Sequence, residues 1–113
     1  MARDLFRNRK YPYCLFFCHL AVEKMIKAVV VAKLHAHAPW THNLPFLAGH
    51  AAMTLDKGDL EFLVELTRWN LEARYPSDLL TLKKKADAST VRVLIKKTNK
   101  FLKWLKNQLQ KNY

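Results

Sequence analysis

The sequence predicts an all-α fold, an antiparallel bundle of four to five helices. Apolar residues recur at spacings of three and four from Tyr13 to Leu109, and the two-residue alternation typical of strands is absent over any useful length. The chain has 113 residues, of which 50% are hydrophobic, 26% are charged and only two are glycine. This length and composition predict one packed domain spanning residues 1–113, and they exclude a disordered or collagen-like chain.

The first long helix is predicted from Pro12 to about His35, because proline is tolerated in the first turn of a helix. Its apolar residues occupy two opposite sides. One side carries Tyr13, Phe17, Leu20, Ala21 and Val31, and the other carries Leu15, Val22, Met25 and Val29. We therefore expect this helix at the centre of the bundle, packed against neighbours all round.

A polar edge interrupts this apolar helix. His19, Glu23 and Lys27 follow one another at intervals of four residues and stack along one side. Burial of Glu23 without a cation would be costly, which means that it needs a positively charged neighbour. Lys27, one turn further on, and Arg74, on a facing helix, are the two candidates. Pairs of this kind are more often structural clamps than catalytic groups.

Two shorter helices are predicted in the middle of the chain. Thr41–Asn43 supplies capping residues for a helix that runs through about Met53. Gly58–Asp59 opens the next helix, and Pro76 is expected to end it, because the residue before a proline disfavours the α conformation. A helical fragment around Leu5–Phe6 precedes the long helix.

The last helix, predicted over residues 86–111, has the clearest division into an apolar and a basic side. Lys96, Lys100 and Lys103 lie on the basic side, which is expected to face solvent. The apolar side carries Val91, Leu94, Ile95, Phe101, Leu102, Leu105 and Leu109.

The net charge of +11 is concentrated at the two ends of the chain. Residues 1–10 contribute +3, residues 11–82 contribute −1, and residues 83–113 contribute +9. The basic end is either the binding surface for a polyanion or a solvated helix face that keeps a small protein soluble, and the sequence leaves both interpretations open.

No membrane span or secretion signal is expected. The longest stretch without charge, Tyr11–Val22, has twelve residues, which is too short to cross a bilayer. Residues 1–10 contain Asp4 and are followed by no small-residue cleavage site. We therefore expect a cytoplasmic protein in which Cys14 and Cys18 are reduced core residues.

Two kinds of site, a nucleophile elbow and a glycine-rich phosphate loop, are excluded. Ser77 and Ser89 lack the glycines that a nucleophile elbow needs, and glycines only at positions 49 and 58 cannot form a phosphate-binding loop. Four histidines lie within sixteen residues, but a polar turn between helices with ordinary histidines explains them better than a zinc site does. No metal and no cofactor are assigned. These histidines are His35, His37, His42 and His50.

Three segments together resemble the HEPN domain family (higher eukaryotes and prokaryotes nucleotide-binding). Residues 13–28 are similar to the second helix of these domains, where a tyrosine precedes an alanine-rich stretch closing in Glu-Lys-x-x-Lys-Ala. Thr41-His42-Asn43-Leu44 resembles the Thr-His-x-Leu at the start of their third helix, and Arg74-Tyr75-Pro76 resembles their Arg-Tyr-Pro. The three matches occur in the family's order.

The resemblance implies a four- to five-helix bundle that is usually a homodimer. It also implies a small nucleotidyltransferase, often encoded nearby, as the partner in a toxin–antitoxin-like pair. The matched positions imply a polar site that binds nucleotide or RNA, to which the lysines of the last helix would add phosphate contacts. The implied site consists of Glu23, Lys27, His42, Arg74 and Tyr75.

Family members that cut RNA carry an arginine followed after four to six residues by a histidine, and no arginine of this chain has a histidine at that distance. The leading hypothesis is therefore a binding module without clear catalytic function. The first alternative is a metal-independent ribonuclease in which His42 and Arg74, from different helices, act as general base and oxyanion partner. The second alternative is a structural dimeric bundle without a ligand.

Overall fold

The computed structural model describes residues 11–69 and 87–112. Within these residues the chain forms four α-helices and no strand, which confirms the predicted all-α bundle. The predicted fragment around Leu5–Phe6 lies outside the described residues. The helices are α1 (Tyr11–Leu34), α2 (Leu44–His50), α3 (Lys57–Thr67) and α4 (Ala88–Asn112).

The core lies mainly between the two long helices, α1 and α4, which form the most extensive helix contact among the described residues. The apolar side of α4 packs as its sequence predicts, with Leu94 and Phe101 only 5% exposed. The side of α1 that carries Leu15, Val22 and Val29 faces this core. Burial of such side chains stabilises a fold by about 1.5–3 kcal/mol each.

The expectation that α1 is packed all round is wrong. Tyr13 and Val31, at the two ends of its second apolar side, are 46% and 48% exposed, and Leu34 is also exposed. Between them, Phe17 and Leu20 are only partly buried. Helix α1 therefore has one buried side and one apolar flank that reaches solvent.

Helix α2 is fixed at both ends. The side chain of Asn43 accepts a hydrogen bond from the Phe46 N–H at 3.0 Å and so caps its first turn, as predicted. The helix ends at His50, three residues before the predicted end, where the chain turns and Ala52 adopts a φ of 53°. Lys33 of α1 donates to the carbonyl oxygen of Ala51 at 2.8 Å and satisfies a backbone group at this end.

Helix α3 begins at the cap supplied by Asp56, whose carboxylate accepts from the Asp59 N–H at 2.7 Å. It ends at Thr67 and not at Pro76, so the predicted length is wrong. After Thr67 the chain tightens into a turn in which the Trp69 N–H bonds to the Leu66 carbonyl, and this turn brings the Trp69 side chain into the core. The helix therefore ends next to a core residue, nine positions before the proline.

The hydroxyl of Thr67 connects the end of α3 to the start of α2. It donates to the Leu63 carbonyl at 2.8 Å and accepts from the Leu44 N–H at 3.3 Å. Since the Leu44 N–H has no partner within its own first turn, this contact satisfies it. It also fixes the segment before α2, which carries His42, against the rest of the bundle.

Both cysteines are free thiols inside the core, as expected. Burial raises the pKa of Cys14 to about 11, and the neighbouring Cys18 adds to the rise. Burial also raises the pKa of Cys18, which the hydroxyl of Thr98 offsets in part. The two thiols therefore stay neutral near pH 7 and pack as small apolar side chains.

None of the described helices is both long enough and apolar enough to span a membrane.

Candidate functional site

Three of the residues predicted for a polar site come together in the structure. The Nδ1 atom of His42 lies 2.7 Å from Oε1 of Glu23, although the two residues are 19 positions apart. The ammonium group of Lys27 donates to Oε2 of the same carboxylate at 3.2 Å. The Glu23 cluster, defined by these three side chains, thus joins the middle of α1 to the segment that leads into α2.

The cluster is buried on one side and open on the other. Glu23 is 6% exposed, whereas the side chains of His42 and Lys27 are 46% and 30% exposed. A buried carboxylate is costly unless it is paired and hydrogen-bonded, and here each of its oxygens has a partner. The buried carboxylate therefore holds two nitrogen groups at the surface of the bundle.

His19 is a fourth member of the site that the predicted residue set omitted. It is fully buried, one turn before Glu23 on α1. Its Nε2 lies 2.9 Å from the main-chain oxygen of His42, and since a carbonyl oxygen only accepts, Nε2 donates. Its Nδ1 lies 4.0 Å from Oε1 of Glu23. The spacing of four residues along the polar edge was the sequence signal for it.

These contacts fix both the backbone and the ring of His42. His19 holds the main chain, and Glu23 holds the imidazole. An ionised carboxylate only accepts hydrogen bonds, which places the hydrogen on Nδ1 and directs the opposite nitrogen, Nε2, away from Glu23. An imidazole oriented in this way can take up a proton through Nε2 or, when protonated, donate one to an anion.

The other predicted site residues do not belong to this cluster. Arg74 and Tyr75 lie outside the described residues, so the pairing of Arg74 with Glu23 stays a prediction. Lys96, Lys100 and Lys103 lie exposed on α4, as predicted. Among the described residues, no hydrogen bond or ion pair joins these lysines to the Glu23 cluster.

The described part of the chain brings no three histidine, cysteine, aspartate or glutamate side chains together around a point where a metal ion could bind. The Glu23 cluster contains a lysine, whose ammonium group is a hydrogen-bond donor only. Hydrogen bonding and proton transfer are the chemistry that its own side chains supply.

Comparison with known proteins gives one match. The family model described as HEPN domain matches residues 1–108, nearly the whole chain. No curated protein and no solved structure matches the sequence.

Proposed function

Because the chain belongs to the HEPN domain family, we propose that it is a binding module that holds a phosphate group of a nucleotide or RNA at the Glu23 cluster. One observation carries this proposal. Buried Glu23 fixes an imidazole and an ammonium group side by side at the surface. The ammonium group has three hydrogens, and one contact to Glu23 leaves further donors for a second anion.

The lysines of α4 would add affinity without selectivity. Residues 83–113 contain ten cations and one acid, and Lys96, Lys100 and Lys103 follow one another at intervals of one turn on an exposed face. Phosphate contacts of this kind release counterions, so RNA binding should weaken as salt rises, with a slope that falls by about one for each lysine removed.

The matched pair Lys27→Ala and Lys24→Ala tests the site. Both lysines lie on α1, but Lys24 is exposed and makes no contact with Glu23. We expect Lys27→Ala and His42→Ala to weaken binding of ATP or of a short single-stranded RNA at low salt by about tenfold, since a hydrogen bond to a charged group contributes about 1.5 kcal/mol. Lys24→Ala should leave the affinity near that of the wild type. Equal losses in the two lysine variants, or binding to neither ligand, would reject the site.

A ribonuclease is the second candidate, and the Glu23–His42 contact specifically favours it. A carboxylate on Nδ1 sets up Nε2 as a general base for a 2′-hydroxyl, and Arg74 would stabilise the phosphorane. In that case the purified protein degrades tRNA or mRNA without added metal, and His42→Ala abolishes the cleavage while the thermal midpoint changes little. If neither the wild type nor His42→Ala degrades the RNA, the ribonuclease hypothesis is rejected and the binding module remains.

The proposed assembly is a cytoplasmic homodimer that also binds a small nucleotidyltransferase, as one half of a toxin–antitoxin-like pair. The exposed apolar flank of α1, with Tyr13, Val31 and Leu34, is a surface of the kind that a second subunit covers. Light scattering should give twice the monomer mass for the wild type. Val31→Glu should shift it toward the monomer, and Val93→Glu, at a similarly exposed position on α4, should not.

The partner can be tested by co-expression. If the adjacent reading frame encodes a small nucleotidyltransferase, the two proteins should co-purify through several steps at moderate salt. Failure to co-purify would reject this part of the proposal and leave the phosphate site unaffected. A structural bundle without a ligand is the remaining outcome, in which Glu23 variants lose stability and no variant changes binding.

A further inference from the structure

A second concave surface lies between the start of α3 and the middle of α4. Its volume is about 420 Å³, within the range of roughly 300–1,000 Å³ that is typical of small-molecule sites. None of its residues belongs to the Glu23 cluster. The residues that give it chemical character are Asp56, Asp59, Phe62, Lys97, Lys100 and Trp104.

Aromatic rings form one wall of this groove. The ring of Phe101 lies 5.6 Å, centroid to centroid, from Phe62 on one side and 5.6 Å from Trp104 on the other. The two phenylalanines are almost completely buried, whereas Trp104 is only partly buried. Trp104 lines the groove and is partly exposed, so its indole is available for stacking with a planar ring.

Charges of both signs line the same groove. Neither Lys97 nor Lys100 is within ion-pair distance of Asp56 or Asp59 among the contacts of the described residues. Asp56 already uses Oδ1 to cap α3, while no described residue donates a hydrogen bond to the carboxylate of Asp59. The groove thus offers separated cationic donors and an anionic acceptor to one ligand.

We propose that this groove binds an unstacked guanine base together with its phosphate. The base stacks on Trp104, the Asp59 carboxylate accepts from the base edge, and Lys97 and Lys100 bind the phosphate. The proposal depends on the proposed function only in that a nucleotide or an RNA supplies the base, because the site itself is separate.

The acidic side of the groove selects among the bases. Guanine presents two adjacent donors, N1–H and the N2 amino group, which match the two oxygens of one carboxylate. Adenine and cytosine present a single amino group on the corresponding edge, and uracil presents one N–H between two carbonyl oxygens that an aspartate repels. A bidentate contact of this type favours the right base by about tenfold or more.

The matched pair Asp59→Asn and Glu61→Gln tests the base contact. Both changes remove one negative charge from α3, but only Asp59 lines the groove. Calorimetric titration with 5′-GMP and 5′-AMP should show about a tenfold preference of the wild type for GMP. Asp59→Asn should abolish the preference, and Glu61→Gln should retain it. No GMP binding at millimolar concentration, or equal effects of the two variants, would overturn the proposal.

The stacking and phosphate contacts have their own variants. Trp104→Leu should weaken GMP binding at least fivefold, with circular dichroism to verify that the variant is folded. Lys97→Ala should weaken it by a similar factor, whereas Lys106→Ala, at an exposed position of the same helix outside the groove, should not. If Trp104→Leu and Lys97→Ala both bind GMP like the wild type, the groove is not the site.

Two probes distinguish the source of the base. A single-stranded RNA with one guanine, 5′-AAAGAA-3′, is compared with the all-adenine hexamer and with free GMP. Tighter binding of the guanine hexamer than of GMP identifies RNA as the source, and tighter binding of GMP identifies the free nucleotide. No preference for guanine in either form overturns the proposal.

Failure of this site can be separated from failure of the Glu23 cluster. Lys27→Ala and His42→Ala should leave the GMP preference unchanged, because neither residue lines the groove. If those variants lose RNA affinity while Asp59→Asn does not change base preference, the Glu23 cluster stands and the groove fails. If they have no effect on binding while the preference for GMP persists and depends on Asp59, the groove stands and the cluster fails.

Discussion

The polar edge of α1 and the basic face of α4 both carry charged residues one turn apart, but the structure treats them differently. On α1, Glu23 is buried, and its carboxylate contacts Lys27 on the same helix and His42 from a distant segment. On α4, Lys96 and Lys100 are exposed, and no other described side chain forms an ion pair with them. The charged groups of α1 are therefore held in a fixed geometry by burial, whereas the lysines of α4 are solvated.

The difference shows why charge density alone does not locate a site. The lysines of α4 dominate the net charge, and they attract any polyanion without orienting it. The Glu23 cluster adds almost no net charge, but burial and hydrogen bonds fix the direction of each donor. Selective contacts are expected from the fixed arrangement and general affinity from the solvated one.

The largest expected effect is on stability when the buried carboxylate is removed. Glu23→Ala should lower the free energy of unfolding by about 2–3 kcal/mol, because His42 and Lys27 lose the carboxylate that accepts their hydrogen bonds. Urea unfolding measures this, with Glu61→Ala, at an exposed position on α3, as the control that should change stability by less than about 0.5 kcal/mol. Similar values for both variants would mean that the cluster adds no more stability than a surface charge.

His19 should have the next largest effect. His19→Leu leaves the main-chain oxygen of His42 without its donor and should cost about 1–2 kcal/mol. His19→Gln, whose side-chain amide can donate to the same oxygen, should recover part of this loss. If His19 only stabilised the fold, its replacement would change the free energy of unfolding and leave the His42 ring unchanged. The second measurement is therefore NMR of the His42 ring nitrogens. Their signals should shift in His19→Leu and return toward the wild-type values in His19→Gln.

The fold and part of the site were predictable because they depend on local pattern. Spacings of four placed Glu23 and Lys27 on one edge of a helix, and their contact is observed. The approach of His42 depends instead on the path of the chain between α1 and α2, which no periodicity encodes, and the sequence suggested it only through the resemblance of Thr41–Leu44. The exposure of Tyr13 was not predicted, because an apolar side of a helix indicates burial but does not identify the element that would cover it.

The end of α3 was missed for a related reason. Pro76 is the nearest strong helix breaker in the sequence, and local propensity gives no reason to stop at Thr67. The structure turns there, and Trp69 enters the core. The end of α3 thus coincides with a long-range contact that local propensity does not contain.

Lysine substitutions should have small effects on stability and sharpen the comparison between the two regions. Lys27→Ala should lower the free energy of unfolding by about 0.5 kcal/mol, since its contact with Glu23 is partly exposed. Lys96→Ala should change it by less than that, because the side chain is solvated. For RNA binding, the Lys96→Ala loss should vanish at high salt, while the Lys27→Ala loss should persist in part. Equal salt dependence for both would contradict the distinction between a fixed and a solvated cation.

The smallest expected effect concerns Asp87, the single acid among the ten cations of residues 83–113. Its carboxylate accepts from the Thr90 N–H at 2.7 Å and caps α4, and this hydrogen bond lowers the pKa of Asp87 below its ordinary value of 3.8. A lowered pKa in the folded state means that the ionised form stabilises the fold above pH 3.8, and that this contribution is lost as pH falls further. Asparagine caps helices about as well as aspartate but does not titrate. Thermal melts should therefore show a difference between wild type and Asp87→Asn that is constant from pH 7 to pH 5 and changes in favour of the variant below pH 3.8. If the difference in thermal midpoint between the two proteins stays constant down to pH 3, the capping hydrogen bond does not depend on the charge of Asp87. The exposed carboxylate before α4 would then act only through its geometry.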